Sequence, residues 1–184
     1  MKLYLDTNVI RDYLENRNTN SIQLLELARH KGWECVTSAF TMMEVADLEQ
    51  DSIFFQKTVI RKKWDADKFL RERRQKELTD SDYQDLEEYL DVVPVRLPFL
   101  TFFNLSEDGW QIAQYIASHS VLSAVDTIHL ATAYSAKSDI VVTNDSGFIK
   151  HGNKILEKSK RAGQIAICLP EKVEETAQKL GMTT

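Results

Sequence analysis

Four short islands, each centred on one carboxylate and set where an apolar strand or helix begins or ends, constrain this chain more than any bulk property. Asp6 follows Tyr4-Leu5 and precedes Thr7-Asn8-Val9, and Glu44 sits in Thr41-Met42-Met43-Glu44-Val45. Asp126 opens Asp126-Thr127-Ile128-His129-Leu130-Ala131, and Asp145 closes Val142-Thr143-Asn144-Asp145. A compact fold can bring all four acids to one place. Carboxylates gathered at one point repel and raise one another's pKa. Hard divalent cations relieve that repulsion; Mg²⁺ takes oxygen ligands and keeps several waters for a phosphate substrate. The pattern points to metal-assisted phosphodiester chemistry.

Short apolar runs at 2–5, 34–37, 91–97, 139–143 and 165–169 read as strands. Pro94 argues that the third of these is an edge or an irregular end. Between them the periodicity predicts helices over 8–15, from Thr19 or Ser21 to the stop at Gly32, after Ser38, from Asp80 or Ser81, after Ser106-Glu107-Asp108, over 126–136, and after Pro170. Strands alternating with helices imply a three-layer α/β/α sandwich around a mainly parallel sheet. Ligands of such sheets bind beyond the carboxyl ends of the strands. Asp6 and Asp145 each follow a strand directly and fall on that edge. Asp126 opens a helix, where the dipole favours an anion.

The 184 residues suit one domain spanning 1–184, and a chain that is 43% hydrophobic and 28% charged reads as soluble and globular. A net charge of -5 gives no global sign of nucleic-acid binding, although net charge hides local patches. No apolar run approaches the ~20 residues that cross a bilayer, and the first residues are strand-like rather than a signal peptide. Cys35 and Cys168 each lie in an apolar run. Buried, reduced thiols and a cytoplasmic location are expected, and two cysteines without suitably spaced histidines do not make a zinc site. One stretch departs from the acidic balance. Residues 50–76 hold nine basic residues against four acidic ones, with aromatic and aliphatic residues at near-helical spacing. A helical, basic insertion over 50–90 is expected, with one apolar and one basic face.

The islands, in this order, resemble the PIN domain, a family of small metal-dependent ribonucleases that includes VapC toxins. The residues carrying the likeness are Leu5-Asp6-Thr7-Asn8-Val9, Glu44, the run Asp126 to Ala133, Val142-Thr143-Asn144-Asp145 with Phe148, and the closing Leu169-Pro170-Glu171. The resemblance implies an acidic metal site of Asp6, Glu44, Asp126 and Asp145 holding one or two Mg²⁺ or Mn²⁺ ions, with Asn8, Thr143 and Asn144 as polar residues beside it. It implies an endoribonuclease, and a toxin of a toxin–antitoxin pair with RNA as substrate, an antitoxin partner and a homodimer. Some family members carry a further acid where this chain has Gly147, so a second ion would be held loosely or only with substrate. The basic stretch resembles an enlarged form of the family's helical clip. Its Arg61, Lys62, Lys63, Arg71, Arg73 and Arg74 are candidates to hold the RNA backbone.

Each acid also has a plainer reading: Asp6 and Asp145 as turns after strands, Asp126 as a helix cap, Glu44 as a solvated helix residue. His129 reads better as a satisfied structural histidine than as a general base, because a metal site needs none. Trp64, Phe54 and Phe55 could stack on bases, but packing explains most of them. Two rival functions remain. Leu5-Asp6-Thr7-Asn8-Val9 also looks like the strand-end motif of haloacid-dehalogenase-type phosphatases, with Asn8 where a second Asp is needed. A PIN-like module that binds RNA or protein without catalysis is the other.

Overall fold

The computed structural model describes residues 1–159 and 165–182. In chain order its elements are β1 (Lys2–Leu5), α1 (Thr7–Leu14), α2 (Thr19–Lys31), β2 (Glu34–Ser38), α3 (Phe40–Phe55), a π-helical turn (Gln56–Arg61), α4 (Ala66–Glu72) and α5 (Asp80–Arg96). There follow β3 (Leu100–Phe103), α6 (Glu107–His119), α7 (Ala124–Ser135), β4 (Ile140–Val142), α8 (Ser146–Lys158), β5 (Ala166–Cys168) and α9 (Val173–Lys179). The chain divides into two compact units, one of residues Met1–Thr41 and Pro98–Thr184, the other of Met42–Leu97.

The first unit carries one sheet, all parallel, in the order β3-β2-β1-β4-β5. The chain steps from β1 outward to β2 through α1 and α2, and from β4 outward the other way to β5 after α8. Right-handed crossovers in opposite directions put their helices on opposite faces. The side chains agree. Tyr4, Val36, Val141 and Ile167 point to one face and pack with Ala113 and Ile116 of α6, Leu130 of α7, and Phe148 and Ile155 of α8. Their neighbours Leu5, Cys35, Val142 and Cys168 point to the other, where α9 packs on β4 and β5 and Thr176 reaches the Cys168 thiol. This is the expected α/β/α sandwich. β1 is central, and Leu3, Tyr4 and Leu5 are wholly buried, as a strand covered on both faces requires. Both cysteines are free and buried. Burial, helped by Glu34, pushes Cys35 up to about 12, and burial lifts Cys168 to about 11. Both stay protonated and unreactive at neutral pH.

The second unit, Met42–Leu97, is helical. Its aromatic residues pack on one another: the Phe54 ring lies 5.9 Å from Trp64 and 5.8 Å from Phe69, and Phe55 meets Phe69 edge-on at 5.4 Å. Lys68 sits 4.2 Å above the Trp64 ring. Packing therefore accounts for these rings. Part of the basic charge is spent internally. Arg73 binds Asp51, and Lys76 bridges Asp47 at 2.8 Å and Asp51 at 2.9 Å. Arg61, Lys62, Lys63, Arg71 and Arg74 are exposed.

Asp82 ties this unit together. Its carboxylate accepts from the backbone N–H of Thr79 at 2.6 Å and the Thr79 hydroxyl at 2.7 Å, and it pairs with Lys57. Burial pushes its pKa up, but those donors outweigh it and hold the carboxyl at about 2. A depressed carboxylate contributes stability that is complete above its unfolded pKa and lost as pH falls through the folded one. Asp82→Asn is expected to cost about 1–2 kcal/mol at neutral pH through loss of a charge-assisted bond. The gap between urea melts of wild type and variant should start to shrink below about pH 5 and close as pH falls through about 2. A gap that stays constant over that range would show that the charge of Asp82 contributes nothing.

Three expectations on the elements are corrected. Residues 91–97 are not a strand: α5 continues to Arg96 with Pro94 inside it. Leu86, Leu90, Val93 and Leu97 follow helical spacing, with Leu86, Val93 and Leu97 buried and Val92 and Val95 exposed. That face outweighs the strand preference of three valines, and Pro94 forfeits only one bond near the helix end. The edge strand is instead Leu100–Phe103, just after Pro98. Residues 146–158, for which no element was expected, form α8, with Phe148, Gly152 and Ile155 buried along one face.

Candidate functional site

β1 and β4 are neighbours from which the chain leaves in opposite directions, so a crevice opens beyond their carboxyl ends. Asp6 and Thr143 are the first residues past those ends. Asp6 donates its backbone N–H to the carbonyl of Val142 at 3.0 Å, so the sheet ladder itself holds it. Its carboxylate caps α1, accepting from the Thr7 N–H at 2.7 Å through Oδ1. Its Oδ2 accepts from Asn8 Nδ2 at 2.6 Å and from the Thr143 hydroxyl at 2.5 Å. Asp6 is only 6% exposed. A buried carboxylate needs such donors to stay charged, and here three converge on it.

The second island is stitched to the first. Asn144 donates its backbone N–H to Asn8 Oδ1 at 2.9 Å, and Asp145 donates its own to Thr143 Oγ1 at 3.0 Å. Asp145 caps α8, accepting from the Phe148 N–H at 2.9 Å through Oδ1, and is exposed. Behind this pair lies a carboxylate that sequence reasoning passed over. Asp12 is buried; its Oδ2 accepts from Asn144 Nδ2 at 2.7 Å and the Ser21 hydroxyl at 3.1 Å, and Arg17 pairs with its Oδ1 at 3.2 Å. The signal was present, for Asp12 lies one turn beyond Asn8 on the same face of α1.

α7 supplies the third side. Its cap is Ser123, whose hydroxyl accepts from the Asp126 N–H at 3.0 Å. Asp126 is therefore in the first turn, half-buried, and its carboxylate is not the cap. One turn on, on the same helix face, His129 is wholly buried, with Nε2 3.8 Å from Asp6 Oδ1 and Nδ1 2.6 Å from the Tyr4 hydroxyl. Burial, and then the charge of Asp6, raise the Tyr4 pKa far above its ordinary value, so Tyr4 remains a donor. A carboxylate only accepts, so the tautomer that satisfies both neighbours carries its proton on Nε2 and accepts from Tyr4 at Nδ1.

A PIN domain model matches residues 3–154. The chain belongs to the PIN domain family. Comparison with curated proteins gives no match. Among solved structures, the fold is similar to that of VapBC2 from Rickettsia felis bound to a DNA fragment from its promoter, with a TM-score of 0.53 at 14% identity over 92% of this chain and 98% of that one. It is also similar to FitAB bound to an IR36 DNA fragment, with a TM-score of 0.54 at 18% identity over 92% and 95%.

In this PIN domain Asp6, Asp126 and Asp145 belong to the first compact unit, and Asn8, Thr143 and Asn144 to the network that holds Asp6. Glu44 is half-buried on α3 and belongs to the second unit. Among the described residues, no three Asp, Glu, His or Cys side chains are gathered closely enough to hold an ion between them. A preformed cage is not what Mg²⁺ requires, since it binds through one or two carboxylates and otherwise keeps its waters. The donors beyond β1 and β4 are all oxygens on a fixed frame, and this chemistry fits such an ion. No described helix is long and apolar enough to cross a membrane. The phosphatase reading loses its footing, because the family match is to the PIN domain and Asn8 stands where a second Asp is needed.

Proposed function

We propose that this chain is a metal-dependent endoribonuclease that hydrolyses RNA phosphodiester bonds, and that it is the toxin of a toxin–antitoxin pair. The observation that carries the reading is the buried Asp6 carboxylate, held by Thr7, Asn8 and Thr143 just past the carboxyl ends of β1 and β4 in a chain of the PIN family. Asp6, Asp126 and Asp145 would hold Mg²⁺ or Mn²⁺. When bound, such an ion activates water and offsets the charge that builds on the phosphate. The protein's own part is orientation. Asn8 and Thr143 fix the Asp6 carboxylate, Asn144 locks Asn8, and Asp12 locks Asn144, so the acid needs no rearrangement to receive a cation. Exposed Arg61, Lys62, Lys63, Arg71 and Arg74 are available to phosphates, whereas Arg73 is engaged by Asp51. The antitoxin, the homodimer and a cytoplasmic location rest on the likeness to VapC toxins, and the DNA-bound VapBC2 and FitAB assemblies support a partner that binds DNA.

The test is cleavage of single-stranded RNA by the purified chain with Mg²⁺ or Mn²⁺ and with chelator, beside calorimetric titration of each ion. Cleavage that requires the ion, with a measurable binding heat, is expected. Cleavage indifferent to chelation overturns the metal role. Absence of both heat and cleavage would leave the non-catalytic module.

A further inference from the structure

α8 carries a second chemical feature that the Asp6 site does not use. Gly147, His151, Lys154 and Lys158 recur at i, i+4, i+7 and i+11, which is one face of the helix. That face begins two residues after Asp145 and runs about 16 Å along the axis. Its far half opens on a concavity of about 490 Å³, closed on the other side by the end of α6. The polar lining is His119, His151, Lys154, Lys158, Ser118 and Ser120, and no acid is among it. Glu157, the one acid of α8, does not line it. In a chain with 28 acidic residues against 23 basic ones, a concave surface with two lysines, two imidazoles and no carboxylate is a marked local reversal of sign.

The cations are available. Among the described residues, His151, Lys154 and Lys158 make no ion pair, and both lysines are exposed. In the last turns of α6 three carbonyls accept side-chain donors. Ser118 and Ser120 donate to Gln114 and Ile116 at 2.8 Å each, and His119 donates through Nδ1 to Tyr115 at 2.8 Å. The His119 ring is also held flat on Tyr115, with centroids 4.3 Å apart.

We propose that this concavity is a phosphate-binding subsite for the RNA strand, several nucleotides away from the scissile bond. The proposal rests on the ribonuclease reading above and adds a path to it. A strand that keeps the helical rise of about 3.4 Å per nucleotide passes at most roughly five nucleotides along the 16 Å face. A strand seated at Asp6 and Asp145 and laid along α8 brings later phosphates over His151, Lys154 and Lys158. The acidic crevice repels RNA, and a cationic track leading away from it offsets that repulsion without placing positive charge among the acids themselves.

The experiment is a Lys154→Glu/Lys158→Glu double variant of the full chain. Anisotropy of labelled RNA is measured over a range of KCl concentrations, with a 3-mer and a 12-mer, beside cleavage of both. Both positions are exposed, so the fold should be kept; a melting curve checks this. The expected result is a log–log salt slope for the 12-mer smaller by about 1.4, since each lost single-strand phosphate contact removes about 0.7. Binding and cleavage of the 3-mer should stay at wild-type levels. An unchanged 12-mer slope in a wild type that binds and cleaves RNA overturns the subsite and leaves the ribonuclease reading intact. Equal weakening of 3-mer and 12-mer also overturns it, because the pocket would then act on any small phosphate or on the crevice as a whole. A wild type that binds neither RNA overturns both readings together.

Discussion

Asp6→Asn is expected to reduce metal-dependent RNA cleavage by at least about 100-fold, the scale on which even the outer partners of a metal site matter. The variant should fold, yet it should melt at lower denaturant. From the sequence alone, removing one of four clustered acids should relieve repulsion. The geometry reverses that sign. The Asp6 carboxylate accepts from Thr7, Asn8 and Thr143, and an Asn here keeps one accepting oxygen and turns an NH₂ toward the Asn8 amide, which is itself a donor. Thr143 can rotate its hydroxyl to accept; the Asn8 amide cannot. One unsatisfied, part-buried donor costs about 1–3 kcal/mol. Cleavage assays at saturating Mg²⁺ and urea melts of the same preparation check both halves. Full activity removes Asp6 from the metal site, and a chain that fails to fold makes its role structural.

How far the sequence could be read differs between the edge of the sheet and its surroundings. β1 was legible to the residue, because Lys2-Leu3-Tyr4-Leu5 is apolar and ends at an acid that cannot stay in the core unpaired. The islands at Asp6 and Asp145 were legible for the same reason, whereas Asn8, Thr143 and Asn144 entered only through the family resemblance. The switch point between β1 and β4 was not, since strand order depends on which runs pair and no local pattern encodes it. Residues 91–97 were misread because three β-branched valines signal a strand locally, while the deciding fact is a buried helical face that began at Leu86. α8 was passed over because Asp145 was read as the end of a strand rather than as the cap of a helix. Asp12 and the Tyr4–His129 pair were hidden more deeply. Each is an ordinary residue in its own helix or strand and becomes a site element only through a partner 125 or 132 positions away.

That pair makes the second large prediction. His129 is wholly buried between Tyr4, whose ring centroid lies 5.8 Å from the imidazole, and Phe40, at 6.3 Å. His129→Ala removes a packed ring and takes the Nδ1 acceptor away from the Tyr4 hydroxyl, which still lies beside Thr37 and Ser38. The cavity alone costs about 3–5 kcal/mol when a large buried ring is cut to Ala, and the lost hydrogen bond adds about 1 kcal/mol. Tyr4→Phe by itself leaves the Nδ1 of His129 without its donor, at about 1–3 kcal/mol. The two losses share one hydrogen bond, so they should not add. The Tyr4→Phe/His129→Ala double variant should be less destabilised than the sum of the singles by about 1 kcal/mol or more, as contacting residues in one network are. Urea melts of the four proteins read this directly. Coupling would mean that the 2.6 Å bond between Tyr4 and His129 sets the imidazole tautomer facing Asp6, and Tyr4→Phe should then lower cleavage even in the folded fraction. Additive losses, with cleavage per folded molecule untouched, would make His129 a core residue that happens to lie beside an acid.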